Sequence, residues 1–358
     1  MLKMTQDTIN YNYTTKFGCD LELNLPNNYT IKYGTATDIG CCHENQDNSF
    51  VWISPNNQTQ MFGMLDGHSR QNGKHAAQFA KTFCVKFIST NYKLFIKNAH
   101  EFINQIFAGA NLAIKDGLKT IYPNFYEVNE ELRYSMHGLQ IDGGSTFTLL
   151  IIHNGKVFVA NVGDSSIISC TQSKEARELI AHHSPENIDE FKRIISINPK
   201  SQFKYDGKTK RDIFKINSET GEPEITGHVQ YYKNIRKEAA TLVLRQNEEY
   251  MLAMTRSLGD FQLKPEITAE PDINEYSLTD IFGNSLTGAF VLATDGLWDN
   301  WTFEDVSKFI MDESCLNSVQ IVTDSLMKQN LVYARQNFPK QGDNVTIIVI
   351  FVIFAILK

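Results

Sequence analysis

No two cysteines in this 358-residue chain have the C-x-x-C spacing of a zinc clip or a redox motif. The six lie at Cys19, Cys41, Cys42, Cys84, Cys170 and Cys315. The adjacent pair Cys41-Cys42 is too close for an ordinary disulfide. Reduced thiols in a cytosol-like compartment are therefore expected. The first residues, MLKMTQDTINYNYTT, contain no apolar run of the kind a secretory signal needs, so the expected location is intracellular, cytoplasmic or nuclear. Net positive charge is also missing. Lys and Arg number 34 against 41 Asp and Glu, a formal charge of −7, which argues against nucleic acid as a partner. A membrane span would need roughly 20 apolar residues. The most apolar stretch, VTIIVIFVIFAIL near the C-terminus, is shorter, β-branched and preceded by the turn-like QGDN, so it reads as a buried strand rather than a stable membrane span. There is no internal repeat, no low-complexity tract and no composition break that forces a second domain.

Apolar residues make up 42% of the chain, ample for a buried core. Residues 1–28 read as a polar extension, and 29–358 as one folded domain. TIKYGTAT, SFVWIS and MFGML have the character of strands. From Asn72 the pattern turns helical, with Ala76, Ala80, Phe83 and Phe87 on one face, and a second helix covers about 100–120. STFTLLIIHNGKVFVANVGDSSIIS reads as strand, turn, strand, turn, strand, with Asn154-Gly155 a strong hairpin signal. SPENIDEFKRII is helix-like, GAFVLAT strand-like, and Thr302 with Asp305 starts another helix as a capping box. Residues 197–249 are polar and weakly periodic, and read as a long exposed flap or insertion. Hairpins with separate helices indicate an α+β layered fold rather than alternating βαβ units.

The stretch GMLDGHSRQNGKHAA fails as a phosphate-cradling loop. Gly67 and Gly73 are one residue too far apart, and His75 stands where a hydroxyl is required. What remains is Asp66 at the end of an apolar run, with His68 two residues on. The same arrangement recurs: Asp295 in VLATDGLWD with Asp299 four residues later, Asp164 in VANVGDSS, Asp343 in QGDNVTI and Asp47 in ENQDNSF. If these strands are neighbours, the carboxylates converge, and converging carboxylates need cations. Hard oxygen ligands suit magnesium or manganese. The residues alone leave two readings open, a two-metal hydrolytic site and a set of unrelated turn aspartates.

Seven stretches, in order, resemble the metal-dependent serine/threonine protein phosphatases of type 2C: FGMLDGHSRQNGKHAA, GGSTFTLLIIHNGKVFVANVGDSS, SPENIDEFKRI, LAMTRSLGDFQLK, ITAEPDI, FVLATDGLWDNWTFEDV and GDNVTIIVI. The resemblance implies a four-layer αββα sandwich, two antiparallel sheets flanked by helices. It implies hydrolysis of phosphoserine and phosphothreonine in proteins by water activated at a centre of two divalent cations, Mn²⁺ or Mg²⁺. Asp66, the Gly67 carbonyl, Asp295 and Asp343 match the direct ligands, and Asp47 an acid that holds metal-bound waters. Asp164 and Asp299 match a third, weaker site found in some members, and His68 the general acid. The expected partner is a phosphoprotein substrate met by a monomer.

The sequence departs from that pattern in four places. Cys42 stands at the usual position of a phosphate-gripping arginine, a role that a thiol cannot fill. Gln46 stands where many members have Glu. Ser69-Arg70 replaces the usual Gly-Gly, which makes Arg70 a candidate substitute for the missing guanidinium. The segment between Arg193 and Arg256 is longer than the usual flap and lacks its Gly-Gly turn. Cys42 supports an alternative expectation, a catalytically weak phosphatase-like protein that binds phosphoproteins or regulates a partner, whereas the four direct ligand positions support the active enzyme.

Overall fold

A computed structural model describes residues 23–24, 29–128, 131–134, 139–244, 251–314, 318–339 and 342–355. The N-terminal extension read over 1–28 lies outside them except for Leu23 and Asn24. In chain order the main strands are β1 (Leu23–Asn24), β2 (Tyr29–Asp38), β3 (Asn48–Ile53), β4 (Thr59–Leu65), β5 (Phe147–His153) and β6 (Lys156–Val162). They continue with β7 (Ser166–Thr171), β8 (Ala176–Glu178), β9 (Asp272–Ser277), β10 (Thr287–Ala293) and β11 (Val345–Phe354). The helices that position the site are α1 (Gly73–Lys97), α2 (Ala99–Ile121), α3 (Ile188–Ile197), the short α4 (Asp295–Trp298), α5 (Phe303–Ser314) and α6 (Val319–Asn337).

One sheet has the order β1-β2-β11-β10-β7-β8 and the other β9-β6-β5-β4-β3, with antiparallel neighbours throughout. Three buried clusters give the layering. Phe62, Met64, Leu150, Val159, Leu292 and Ile350 fill the space between the sheets. Ala77, Ala80, Cys84, Phe102 and Phe107 of α1 and α2 pack on Leu149 and Phe147 of the second sheet. Val306, Ile310, Val322 and Leu326 of α5 and α6 pack on Val291 and Val349 of the first. The molecule is thus an α+β sandwich of four layers.

The C-terminal apolar run is β11. It lies between β2 and β10, and its residues through Val352 are buried from both sides. This explains why it shows no polar alternation. Among the described residues no helix is long and apolar enough to cross a membrane. Asn154 and Gly155 both take positive φ, 49° and 80°, as a two-residue type I′ turn between β5 and β6 requires. The Thr302 hydroxyl accepts the Asp305 amide at 3.1 Å and starts α5.

Residues 197–244 hold more regular structure than their polarity suggests. Gln202–Tyr205 pairs with Thr241–Leu244, and Phe214–Ile216 with Pro223–Ile225. Phe203, Tyr205, Ile213, Phe214 and Val243 form a small core with Ile194 of α3 and Ile267. Strands of three or four residues are too short to show a period, which is why the segment reads as loop.

Candidate metal centre and active site

The sheets bring the five strand-edge motifs to one end of the sandwich. Asp66 follows β4, Asp47 precedes β3, Asp164 lies between β6 and β7, Asp295 follows β10, and Asp343 precedes β11. Asp66 is fixed through its backbone. Its amide donates to Thr146 Oγ1 (3.0 Å), its carbonyl accepts the Thr146 amide (2.8 Å), and Thr146 Oγ1 bonds Ser165 Oγ (2.9 Å). Asp47 is buried, and its Oδ2 accepts the Thr294 hydroxyl at 2.9 Å. Thr294 in turn accepts the Thr346 amide at 2.9 Å, tying the ends of β10 and β11 to Asp47. Asn344 holds the 39–46 loop by accepting the Gln46 amide (2.8 Å) and donating to the Ile39 and Glu44 carbonyls (2.9 and 3.1 Å).

The electrostatics are those of crowded acids. Burial first, and then the charges of Asp47, Asp295, Asp343 and Asp164, hold the Asp66 carboxyl well above the usual carboxylate range. Burial and the charges of Asp299, Asp343 and Asp164 do the same to Asp295. Asp47 and Asp299 are each pushed up to about 7, chiefly by burial. Asp47 Oδ1 and Asp164 Oδ1 are buried with no hydrogen-bond partner.

A divalent cation fits this donor set. The side chains offer oxygen only, and Asp47 Oδ1 is a buried carboxylate oxygen without a hydrogen-bond partner. Among the described residues no three His, Cys, Asp or Glu side chains enclose an ion by themselves. Hard cations of the magnesium type characteristically complete their shell with waters and backbone carbonyls. Gly67 is packed so closely that only glycine fits there. A Cβ there would lie 2.4 Å from the Gly73 carbonyl oxygen and 2.6 Å from that of Gln46.

His68 is positioned by a small sheet that joins three motifs. Gly67–His68 pairs with Gly144–Ser145, which pairs with Leu258–Gly259. This sets His68 Nε2 2.7 Å from Asp260 Oδ2, with Gly144 leaving room for the pair, since a Cβ there would lie 2.2 Å from that oxygen. Burial opposes charge on the ring, but the charge and hydrogen bond of Asp260 outweigh it, and the His68 pKa is raised. Its Nδ1 is buried without a partner. Asp260 is the functional neighbour that sequence reasoning missed, although an aspartate directly after glycine in RSLGD was a signal for it. Arg256, in the same stretch, is an ion-pair residue held by Glu190 (2.6 Å) and Asp272 (2.8 Å).

Cys42 stands at the rim. Its exposed thiol lies 3.6 Å from Asp343 Oδ1, and burial together with the Asp343 charge pushes it up, so it stays a thiol. Arg70 is exposed on the loop before α1. Asp343 itself is exposed and caps its neighbour, accepting the Asn344 amide at 2.7 Å. Asp299 and Asp343 line a cleft of about 270 Å³ with Tyr232, Lys233 and Asn300. Lys233 carries no distinguishing sequence signal, and it comes from the 197–249 segment.

The family model for protein phosphatase 2C matches residues 52–337. The chain belongs to the protein phosphatase 2C family. Among curated relatives it is 27% identical over 331 residues to a protein kinase and PP2C-like domain-containing protein of Arabidopsis thaliana, covering 90% of this chain and 39% of that protein. It is 26% identical to the mitochondrial protein phosphatase 1K of Xenopus laevis, covering 76% of this chain and 57% of the relative. The chain therefore spans only about two-fifths to three-fifths of these relatives' lengths. The serine-threonine phosphatase 2C of Toxoplasma gondii superposes with a TM-score of 0.63 at 16% identity, over 90% of this chain and 95% of that one. A bacterial serine phosphatase does so with a TM-score of 0.56 at 16% identity, over 92% and 100%. These two show that the phosphatase 2C fold is shared.

Proposed function

We propose that this chain hydrolyses phosphoserine and phosphothreonine in proteins and depends on Mn²⁺ or Mg²⁺ to do so. The observation that carries the reading is the gathering of Asp47, Asp66, Asp164 and Asp295 at strand ends on one side of the sandwich, with Asp47 Oδ1 and Asp164 Oδ1 buried and without a hydrogen-bond partner. Unrelated turn aspartates would have no reason to gather at one end of the sandwich. Asp66, the Gly67 carbonyl, Asp295 and Asp343 would hold the ions, and Asp47 would orient waters around them. When bound, such ions supply positive charge to the phosphoryl oxygens and acidify a water. The chain's own contribution is proton handling. Asp260 engages His68 Nε2 and favours the charged ring, which leaves Nδ1 to protonate the departing seryl or threonyl oxygen. The domain in this reading is 29–358, with 197–249 as an insertion beside the cleft, acting as a monomer.

A second reading, a weak phosphatase-like binder of phosphoproteins, is favoured by Cys42, whose neutral thiol faces Asp343 where a phosphate would need a positive group. Phosphate release from a phosphothreonine peptide separates the two. The first reading expects turnover with Mn²⁺ that stops on chelation. Binding of the peptide without phosphate release would favour the second.

A further inference from the structure

Among the described residues, the insertion reaches the carboxylate cleft with Tyr232 and with a cation, Lys233. The Ile235 amide donates to Asp299 O at 3.1 Å. The Arg236 guanidinium donates to Trp298 O at 2.7 Å and lies 4.8 Å from the Phe303 ring. These contacts fix residues 231–238 against α4. Within the loop, the Lys233 amide donates to Glu238 O at 2.8 Å, and buried Asn234 bonds Glu238 through both its side-chain oxygen (3.1 Å) and its side-chain nitrogen (2.7 Å). Lys233 is thus presented from a tied loop. Its Nζ lies 3.7 Å from Asp164 Oδ2 and 3.9 Å from Glu238 Oε2, with the side chain 28% exposed. It lines the cleft with Asp299 and Asp343.

Lys233 feels the charges of Asp164, Asp295, Glu238 and Asp299, and Asp299 in turn feels Lys233 and Asp164. A pair of carboxylates with one buried unpartnered oxygen, Asp164 Oδ1, would otherwise attract a divalent ion from solution. An ammonium already facing Asp164 repels such an ion and offsets the charge that would recruit it.

We propose that Lys233 is a tethered cation that occupies the Asp164–Asp299 end of the cleft and excludes a divalent ion from it. Exogenous ions are then confined to the end formed by Asp66, Asp295 and Asp343. This rests on the reading of the cleft as a divalent-cation site. The insertion thereby sets, through its sequence, how many ions the protein takes up.

The test counts ions rather than turnover. Bound Mn²⁺ is measured on the full chain without substrate, by calorimetric titration and by loss of the free-ion electron paramagnetic resonance signal. Lys233→Met should bind one more Mn²⁺ per chain than wild type, and Lys233→Arg, which keeps the charge, should match wild type. Adding Asp164→Asn to Lys233→Met should remove the extra ion. Equal counts in wild type and Lys233→Met overturn the proposal and leave the metal-centre reading standing. An extra ion that survives Asp164→Asn places it elsewhere and also overturns the proposal. A wild-type protein that binds no Mn²⁺ removes the metal-centre reading and this proposal with it.

Discussion

Cys42 is the residue at which this chain departs most from what its cleft requires. A substrate phosphate carries nearly two negative charges and must approach a site built from carboxylates. An arginine at this rim would add charge-assisted hydrogen bonds, each worth roughly 1.5–3 kcal/mol. Cys42→Arg is therefore expected to raise kcat/KM on phosphopeptides about ten-fold, measured by steady-state kinetics at saturating Mn²⁺. No gain, combined with a loss in Arg70→Ala, would place the working guanidinium at Arg70. At this scale the sequence showed the acids because each sits beside glycine or asparagine at the end of an apolar run. It did not show Thr146, Thr294 or Asp260. Their roles depend on which strand ends meet, and a threonine beside a strand looks the same whether or not its hydroxyl holds a residue of the cleft. Nor did it show Lys233, one lysine among many in a polar segment.

The elements were legible in proportion to their local signals. The β5–β6 hairpin announces its turn with Asn154-Gly155, and β11 announces its burial by continuous apolar, β-branched sequence. The insertion gave no such signal, because its small core joins residues as distant as Ile194, Phe214 and Val243. What docks it at the cleft is a few polar contacts, chief among them Arg236. Arg236→Ala removes the bonds to Trp298 O and the contact with Phe303. Local opening should become easier while the sandwich stays intact. Hydrogen exchange read by mass spectrometry should show peptides spanning 231–239 exchanging several-fold faster, with β10 and β11 unchanged. Unchanged exchange in 231–239 would mean that the insertion's own core holds it in place.

The whole molecule carries −7 and gathers several of its acids in one cleft, so its stability without metal should depend on pH in an unusual direction. Asp47 and Asp299 have folded pKa values of about 7 against an ordinary 3.8, and Asp66 and Asp295 are raised as well. Between those values the folded state binds more protons than the unfolded one. The stability from these groups is complete below the unfolded pKa and is lost as pH rises through the folded pKa. Acids with lowered values, such as Glu190 at about 2, contribute their slope below pH 5 and leave this window alone. In chelator, Tm should fall by roughly 5 °C or more between pH 5 and pH 7.5, and Mn²⁺ should restore more of it at the higher pH. A flat profile, unaffected by Mn²⁺, would show that the carboxylates are not crowded as described.

The most direct measurement is the turnover of Asp66→Asn. This change keeps the shape of the side chain and removes one charge at the centre of the cluster. Loss of residues that merely orient a metal's ligands costs about 10–100-fold, and a direct ligand should cost at least as much. Phosphate release from a phosphothreonine peptide at saturating Mn²⁺ should therefore drop by roughly a hundred-fold or more, in a protein that unfolds no earlier than wild type in chelator. Wild-type turnover in Asp66→Asn would contradict the assignment of this cleft as the catalytic metal centre.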